Sequence, residues 1–207
     1  MSIVVEHEKR RHEILEKALD VFMEEGFEDV TFQKIADRCK ITRTTLYIYF
    51  KNKREIFNFS IKQLMQGLEN NISEIRKEKG VSHTEKLIKV LSIIIEGLEE
   101  NRRLLMVILN YLLHNTKSDY DPDYRVRRRT VRLRHILATM IIEGIKSGEF
   151  TAAINVKDAN DVLYGLMEAA IFRLTVLRRS SVEDLKDAIK LTVKGFAESR
   201  EHKTKAP

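Results

Sequence analysis

The sequence predicts an all-α fold, and three observations carry that prediction. Only two prolines and eight glycines occur in 207 residues. Proline removes a helical donor and clashes with the preceding turn, so its scarcity leaves room for long helices. Apolar residues recur at helical spacing along most of the chain. No segment alternates with period two for long enough to propose a strand.

About nine helices follow from that spacing. Ile14, Leu15, Ala18, Leu19 and Phe22 share one face of a first helix, from about His7 to Glu25, and Gly26 stands where a C-terminal glycine belongs. Thr31 reads as the N-cap of a short second helix through Cys39, with Phe32, Ile35 and Ala36 facing inward. Thr42 repeats the signal for a third helix through Phe50. Two short helices joined by Lys40 to Thr42 make a helix-turn-helix. A fourth helix is expected from Lys53 to about Lys79, ending at Gly80. A fifth begins after Ser82 or Thr84, and a sixth covers Arg102 to His114. A seventh runs from about Asp123 to Lys146, closing at Ser147 and Gly148. An eighth spans about Asp158 to Arg179, and a ninth starts at Ser181 as N-cap and reaches about Arg200.

Composition excludes several classes. Apolar residues make up 43% and charged residues 33%, enough for a core and for solubility. The longest apolar run, Leu104 to Leu109, is far short of the roughly 20 residues that span a membrane. The first residues lack an apolar signal-peptide stretch, so a cytoplasmic protein is expected. The single cysteine, Cys39, excludes an intrachain disulfide and a multi-cysteine zinc site; it is expected inside the second helix as a small apolar residue. No histidine has a glutamate three residues before it, and His-Glu-x-x-His is absent, as is a Gly-rich phosphate loop. His114, Asp119, Asp121 and His135 are the one conceivable metal cluster, with nothing to fix their geometry. No catalysis, cofactor or metal is expected.

The charge is unevenly placed. Residues 1–29 carry a net −5 and residues 30–54 a net +6, from Lys34, Arg38, Lys40, Arg43, Lys51, Lys53 and Arg54 against Asp37 alone. A short segment of one sign is a footprint for a polyanion, or else a solvated charged face. A second cluster, Arg125, Arg127, Arg128, Arg129, Arg132 and Arg134, reads as a helix start whose arginine stems cover apolar surface. A nucleic-acid patch or an anionic-ligand entrance is the alternative.

Residues 10–57 resemble the DNA-binding domain of the TetR family of transcriptional regulators. The resemblance rests on Ile14-Leu15, Ala18-Leu19, Phe22, Gly26-Phe27, Val30-Thr31, Ile35-Ala36 and above all the run Ile41-Thr42-Arg43-Thr44-Thr45-Leu46-Tyr47-Ile48-Tyr49-Phe50-Lys51-Asn52-Lys53. A recognition helix needs polar side chains on one face and apolar anchors on the other. Arg43, Thr44 and Tyr47 project together from the third helix, and Arg43 can grip guanine O6 and N7 bidentately. Thr45, Tyr49 and Lys53 match positions the family uses against phosphate. Thr31 and Gln33 resemble its pair at the start of the second helix, and Thr42 opens the third. Structural roles compete: Tyr47 packed under the first helix, Tyr49 partly core, Lys51 merely solvated. Two departures stand out. Lys40 occupies a turn position usually held by glycine, and Ile48 one that is often aromatic or histidine.

The resemblance implies a DNA-binding domain at 1–52 and a helical effector-binding and dimerisation domain at 53–207. It implies a homodimeric repressor on a palindromic operator, with double-stranded DNA and a small effector as partners. Ala159, Leu163, Leu166, Ala170 and Leu174 form one candidate dimer stripe, and Leu185, Ala188, Ile189, Leu191, Thr192 and Phe196 another. Gly165 and Ala169 would let helices approach closely. An ordinary intrachain core is the competing reading. A pocket is expected among the fourth to eighth helices, with Phe57, Leu64, Met65, Leu68, Ile94, Leu98, Met106, Leu109, Tyr111, Met140, Met167 and Phe172 as possible lining, so a mainly apolar effector is expected. The other class is a helical ligand-carrying or protein-interaction module that no longer reads DNA. The retained Arg43, Tyr49 and Lys53 argue against it.

Overall fold

The structure, a computed structural model, describes residues 3–114 and 122–197, with side chains from 5–113 and 131–197. The described residues form nine helices: α1 Ile3–Glu25, α2 Phe32–Arg38, α3 Arg43–Tyr49, α4 Lys53–Lys77, α5 His83–Glu100, α6 Arg102–His114, α7 Pro122–Lys146, α8 Val156–Thr175 and α9 Asp184–Lys194. Among those residues the single β-type contact is an isolated bridge between Phe150 and Ala197. No described helix is long and apolar enough to cross a membrane.

Packing gathers the chain into two units, one from residues 1–67 with 101–120, the other from 68–100 with 121–207. This partition does not follow a single cut near residue 53. In the first unit, the α1 face Ile14, Leu15, Ala18, Leu19 and Phe22 is buried with Ile35 and Ala36 of α2, Leu46 of α3 and Ile56 and Phe57 of α4. Leu104, Val107 and Tyr111 of α6 complete this core. Aromatic rings tie it together: Phe27 lies 5.2 Å from Phe22, 5.0 Å from Phe57 and 4.9 Å from Tyr111 between centroids. Such tilted and edge-on pairs add about 0.5–1.5 kcal/mol each beyond burial. Arg103 of α6 reaches both Glu16 and Asp20 of α1. Cys39 is 2% exposed, and burial pushes its thiol pKa up, as a small apolar core residue requires.

In the second unit α5 packs against α7, α8 and α9. Its Leu87, Val90, Leu91, Ile94 and Ile95 are almost wholly enclosed. The start of α5 is a capping box: the Glu85 amide donates to the Ser82 hydroxyl, and that hydroxyl and the Ser82 amide donate to the Glu85 carboxylate. Glu149 reinforces it, accepting from the amides of His83 and Thr84 and the Thr84 hydroxyl. Burial raises the Glu149 pKa, but these donors outweigh it and hold the carboxyl below its ordinary value. Glycine is needed at 144 because a Cβ there would overlap the Phe150 ring.

Several expected boundaries shift. α1 starts at Ile3, four residues before His7. α8 is capped by Asn155, whose side chain accepts from the amides of Lys157 and Asp158, and it ends at Thr175 rather than Arg179. Ser181 does not cap α9. It accepts only from the Glu183 amide, and the helix begins at Asp184. α9 stops at Lys194, because Gly195 and Phe196 turn back and the Phe196 carbonyl accepts from Thr151. Arg200 lies outside the described residues.

The two apolar stripes also resolve. Ala159, Leu163, Ala170 and Leu174 of α8, and Leu185 and Ile189 of α9, are buried inside the unit and build its own core. Leu191 of the second stripe is instead 77% exposed. Also outside the core are Val162 and Phe172 of α8 and Val176 just past its end, with Gly165 and Ala169 half-buried between them. The proposed pocket lining divides likewise. Phe57 and Tyr111 belong to the aromatic core of the first unit, Ile94, Leu98, Met140 and Met167 are interior to the second, and Phe172 is exposed.

Candidate nucleic-acid interface

Two threonines set the geometry. The Thr31 hydroxyl accepts from the Lys34 amide at 3.2 Å, and that of Thr42 from the Thr45 amide at 3.0 Å. Each sits in extended conformation at an N-cap, so α2 and α3 start where the sequence places them. Between them Lys40 adopts φ 56°, a left-handed conformation. Its amide donates to the Asp37 carbonyl and the next amide, Ile41, to the Ala36 carbonyl. That paired pattern is the Schellman ending, which usually recruits glycine at this residue. The turn is kept intact with a lysine in it, so the departure at Lys40 leaves the backbone path unchanged.

Leu46, fully buried, anchors α3. Around it Arg43, Thr44, Tyr47 and Ile48 face solvent, and Thr45 and Tyr49 are half-buried. Tyr47 is not packed under α1. Its ring, 49% exposed, lies 4.9 Å from that of Phe32, and its hydroxyl accepts from Arg43 at 3.1 Å. The guanidinium expected to meet a base edge is thus held on the outer face, in a contact water can replace. Tyr49 stacks at 4.7 Å on His7, near the start of α1. Gln33 is exposed and donates to Asp37 at 2.7 Å. Thr45 meets the Thr42 hydroxyl at 2.8 Å. Gln33, Thr42, Arg43 and Thr45 line one open groove together with Asp37, Lys40 and Ile41.

Lys53 has partners within the chain. Its ammonium donates to the carbonyls of Phe27 (2.8 Å) and Glu28 (2.6 Å), and lies 5.0 Å from the Phe27 ring. Burial lowers its pKa, against the pull of Glu28 and Asp29. It clamps the α1–α2 loop to the start of α4. Other charges in the basic segment are also committed. Lys34 pairs with Glu25, and Arg38 with Glu24, whose carboxyl the guanidinium holds below the ordinary range. The acidic first helix therefore neutralises part of the basic segment. Among the described residues, the side-chain cations of Lys40, Arg43 and Lys51 form no ion pair, though the Lys51 amide donates to Glu55.

Phe32 and His7, which support the two tyrosines, were missed in sequence. His7 sits 42 residues from Tyr49, and no local pattern joins them. No three His, Cys, Asp or Glu side chains gather as a metal site among the described residues. His135 is exposed, and the side chains of His114, Asp119 and Asp121 lie outside the described residues.

A capped pair of short helices on an aromatic core, with polar side chains on the outer face of the second, defines a DNA-binding helix-turn-helix protein. Residues 14–58 match the family model of bacterial regulatory proteins of the tetR family. It is similar to the fatty acid metabolism regulator protein of Bacillus subtilis, 27% identical over 159 residues, covering 77% of this chain and 80% of that one. It is 32% identical over 110 residues to the HTH-type transcriptional regulator AcrR of Shigella flexneri, covering 50% and 49%. The crystal structure of FadR from Bacillus subtilis in complex with stearoyl-CoA superposes with a TM-score of 0.70 over 90% of this chain and 99% of that one, at 22% identity. The ketosteroid regulator KstR2 of Mycobacterium tuberculosis superposes with a TM-score of 0.71 at 18% identity, covering 91% and 95%. At these identities the superpositions establish the shared fold.

Proposed function

We propose that this regulator is a repressor. It binds a palindromic operator as a homodimer and is released by a small, mainly apolar effector of the long-chain acyl thioester class. Residues 1–52 read DNA and residues 53–207 carry effector binding and dimerisation. The groove shared by Gln33, Thr42, Arg43 and Thr45 is the observation that carries the DNA reading. Arg43 contacts a base edge. Thr31, Gln33, Thr42, Thr44, Thr45, Tyr47 and Tyr49 set register on sugar and phosphate. Lys53 supports that surface by fixing the loop beneath it.

Dimerisation is supported by the spacing of the exposed apolar residues. Val162, Gly165, Ala169 and Phe172 of α8, and Val176 just past its end, fall at intervals of three and four, a seam with small residues at its middle. The effector class is supported by the similarity to a fatty acid regulator and by the fold shared with a stearoyl-CoA complex. The sequence gathers six arginines between 125 and 134, a charge that suits an anionic headgroup. Effector shifts the population toward dimers whose recognition helices no longer match successive major grooves, and α4 transmits the change. Linkage then requires DNA to weaken effector binding by the same factor, typically 5- to 150-fold.

Selection of bound sequences from a random duplex pool tests the core of this reading. An inverted repeat is expected, with half-sites about one helical turn (~34 Å) or a multiple apart. An unenriched pool would overturn it. Arg43→Ala should cost ~1–3 kcal/mol of discrimination at a single base position. Stearoyl-CoA, titrated with and without operator, should bind more tightly without it.

A further inference from the structure

We propose that Lys40 is a phosphate contact in its own right, held in a strained turn at the expense of fold stability. The inference rests on the DNA reading above and extends it to a residue that reading does not use. Turn geometry alone does not account for the lysine. At φ 56° a side chain crowds the backbone, and glycine would occupy the same turn without strain. A residue kept in such a conformation signals a return elsewhere. Here the return is an exposed cation, outside any ion pair among the described residues, at the edge of the helix-turn-helix.

Three observations place it against DNA. Lys40 is exposed and lines the groove that also holds Gln33, Thr42, Arg43 and Thr45. Its ammonium has no acidic partner among the described residues, whereas Lys34 and Arg38 of the neighbouring helix are spent on Glu25 and Glu24. Asp37 is the one acid lining that groove, its carboxylate held by Gln33, and it would repel a phosphate strand. A cation three residues on offsets that repulsion and reaches past it toward the backbone.

The test is Lys40→Gly in the full-length chain, with Lys40→Arg as the charge-retaining control. Lys40→Gly should melt higher, by roughly 2–4 °C. It should bind every operator variant severalfold more weakly, and its salt slope should fall by about 0.9 per subunit. Lys40→Arg should keep both affinity and slope. Unchanged affinity and slope in Lys40→Gly would overturn the contact while leaving the DNA reading standing, because wild-type binding is measured alongside. A wild-type chain that selects no sequence would sink both. Lys40→Gly melting below the wild type would show that the lysine supports the turn, overturning the stability cost. The double variant Asp37→Asn, Lys40→Gly separates contact from mere neutralisation. Recovery of the full wild-type salt slope would show that Lys40 only cancels Asp37 and would overturn the contact.

Discussion

α3 and α8 show opposite relations between polarity and burial. α3 has seven residues and one fully enclosed anchor, Leu46; its polar residues stand outside. α8 has 20 residues and is apolar on two sides. Leu163, Met167 and Leu174 fill the core, and Val162 and Phe172 face out from roughly the opposite side. A helix that needs one partner surface is polar elsewhere, and its outer face stands out. A helix that serves a core and a second surface spends apolar residues on both, and composition no longer tells inside from outside.

The largest test of this contrast is Phe22→Ala. It removes a ring from the centre of the first unit, where the cost should be ~3–5 kcal/mol. Loss of operator binding should accompany a lowered melting temperature, since α3 sits on that core. The sharpest test uses adjacent α8 residues. Leu163→Ala should destabilise by ~2–5 kcal/mol without changing the assembly state. Val162→Asp, one residue earlier, should leave the helical signal intact and produce monomers in sedimentation. If both variants merely unfolded, the two-sided reading of α8 would fail.

Smaller effects probe the junctions. Gly144→Ala gains up to ~1 kcal/mol of helix propensity but drives a Cβ into Phe150. Overpacking of this kind costs ~1–3 kcal/mol, so a net loss is expected in denaturant titration. Glu149→Gln should cost about 1 kcal/mol through the α5 start. Its sign with pH follows from the lowered carboxyl pKa. The wild-type contribution is complete above the ordinary value of 4.5 and fades as pH falls through the lower folded value. The gap between wild type and Glu149→Gln should therefore narrow in acid.

Much of the first unit was legible because its signals are local. Thr31 and Thr42 cap where short-range rules place them, and Gly26 ends α1 at φ 82°. What escaped depends on distant pairing. The resemblance matches Lys53 to a phosphate contact, but its hold on the Phe27 and Glu28 carbonyls, 25 or more residues away, has no local signal. The net +6 of residues 30–54 overstated the available charge, because Glu24 and Glu25 of α1 neutralise two of its members. In the second unit, helix count was legible and helix faces were not. Ser181 had cap chemistry, but Val182 is buried and its amide donates to Glu99 of α5, so α9 starts later.

The place of α6 constrains how this protein can be taken apart. Leu104, Val107 and Tyr111 are bricks in the wall behind the recognition helices, though they lie some fifty residues downstream of them. A fragment ending after α4 would leave Phe27 and Phe57 facing water and Glu16 and Asp20 without Arg103. Grafting residues 1–67 onto a foreign sensor would therefore yield a sticky, poorly behaved chimera. A swap that carries Arg102–His114 along with it should keep its solubility.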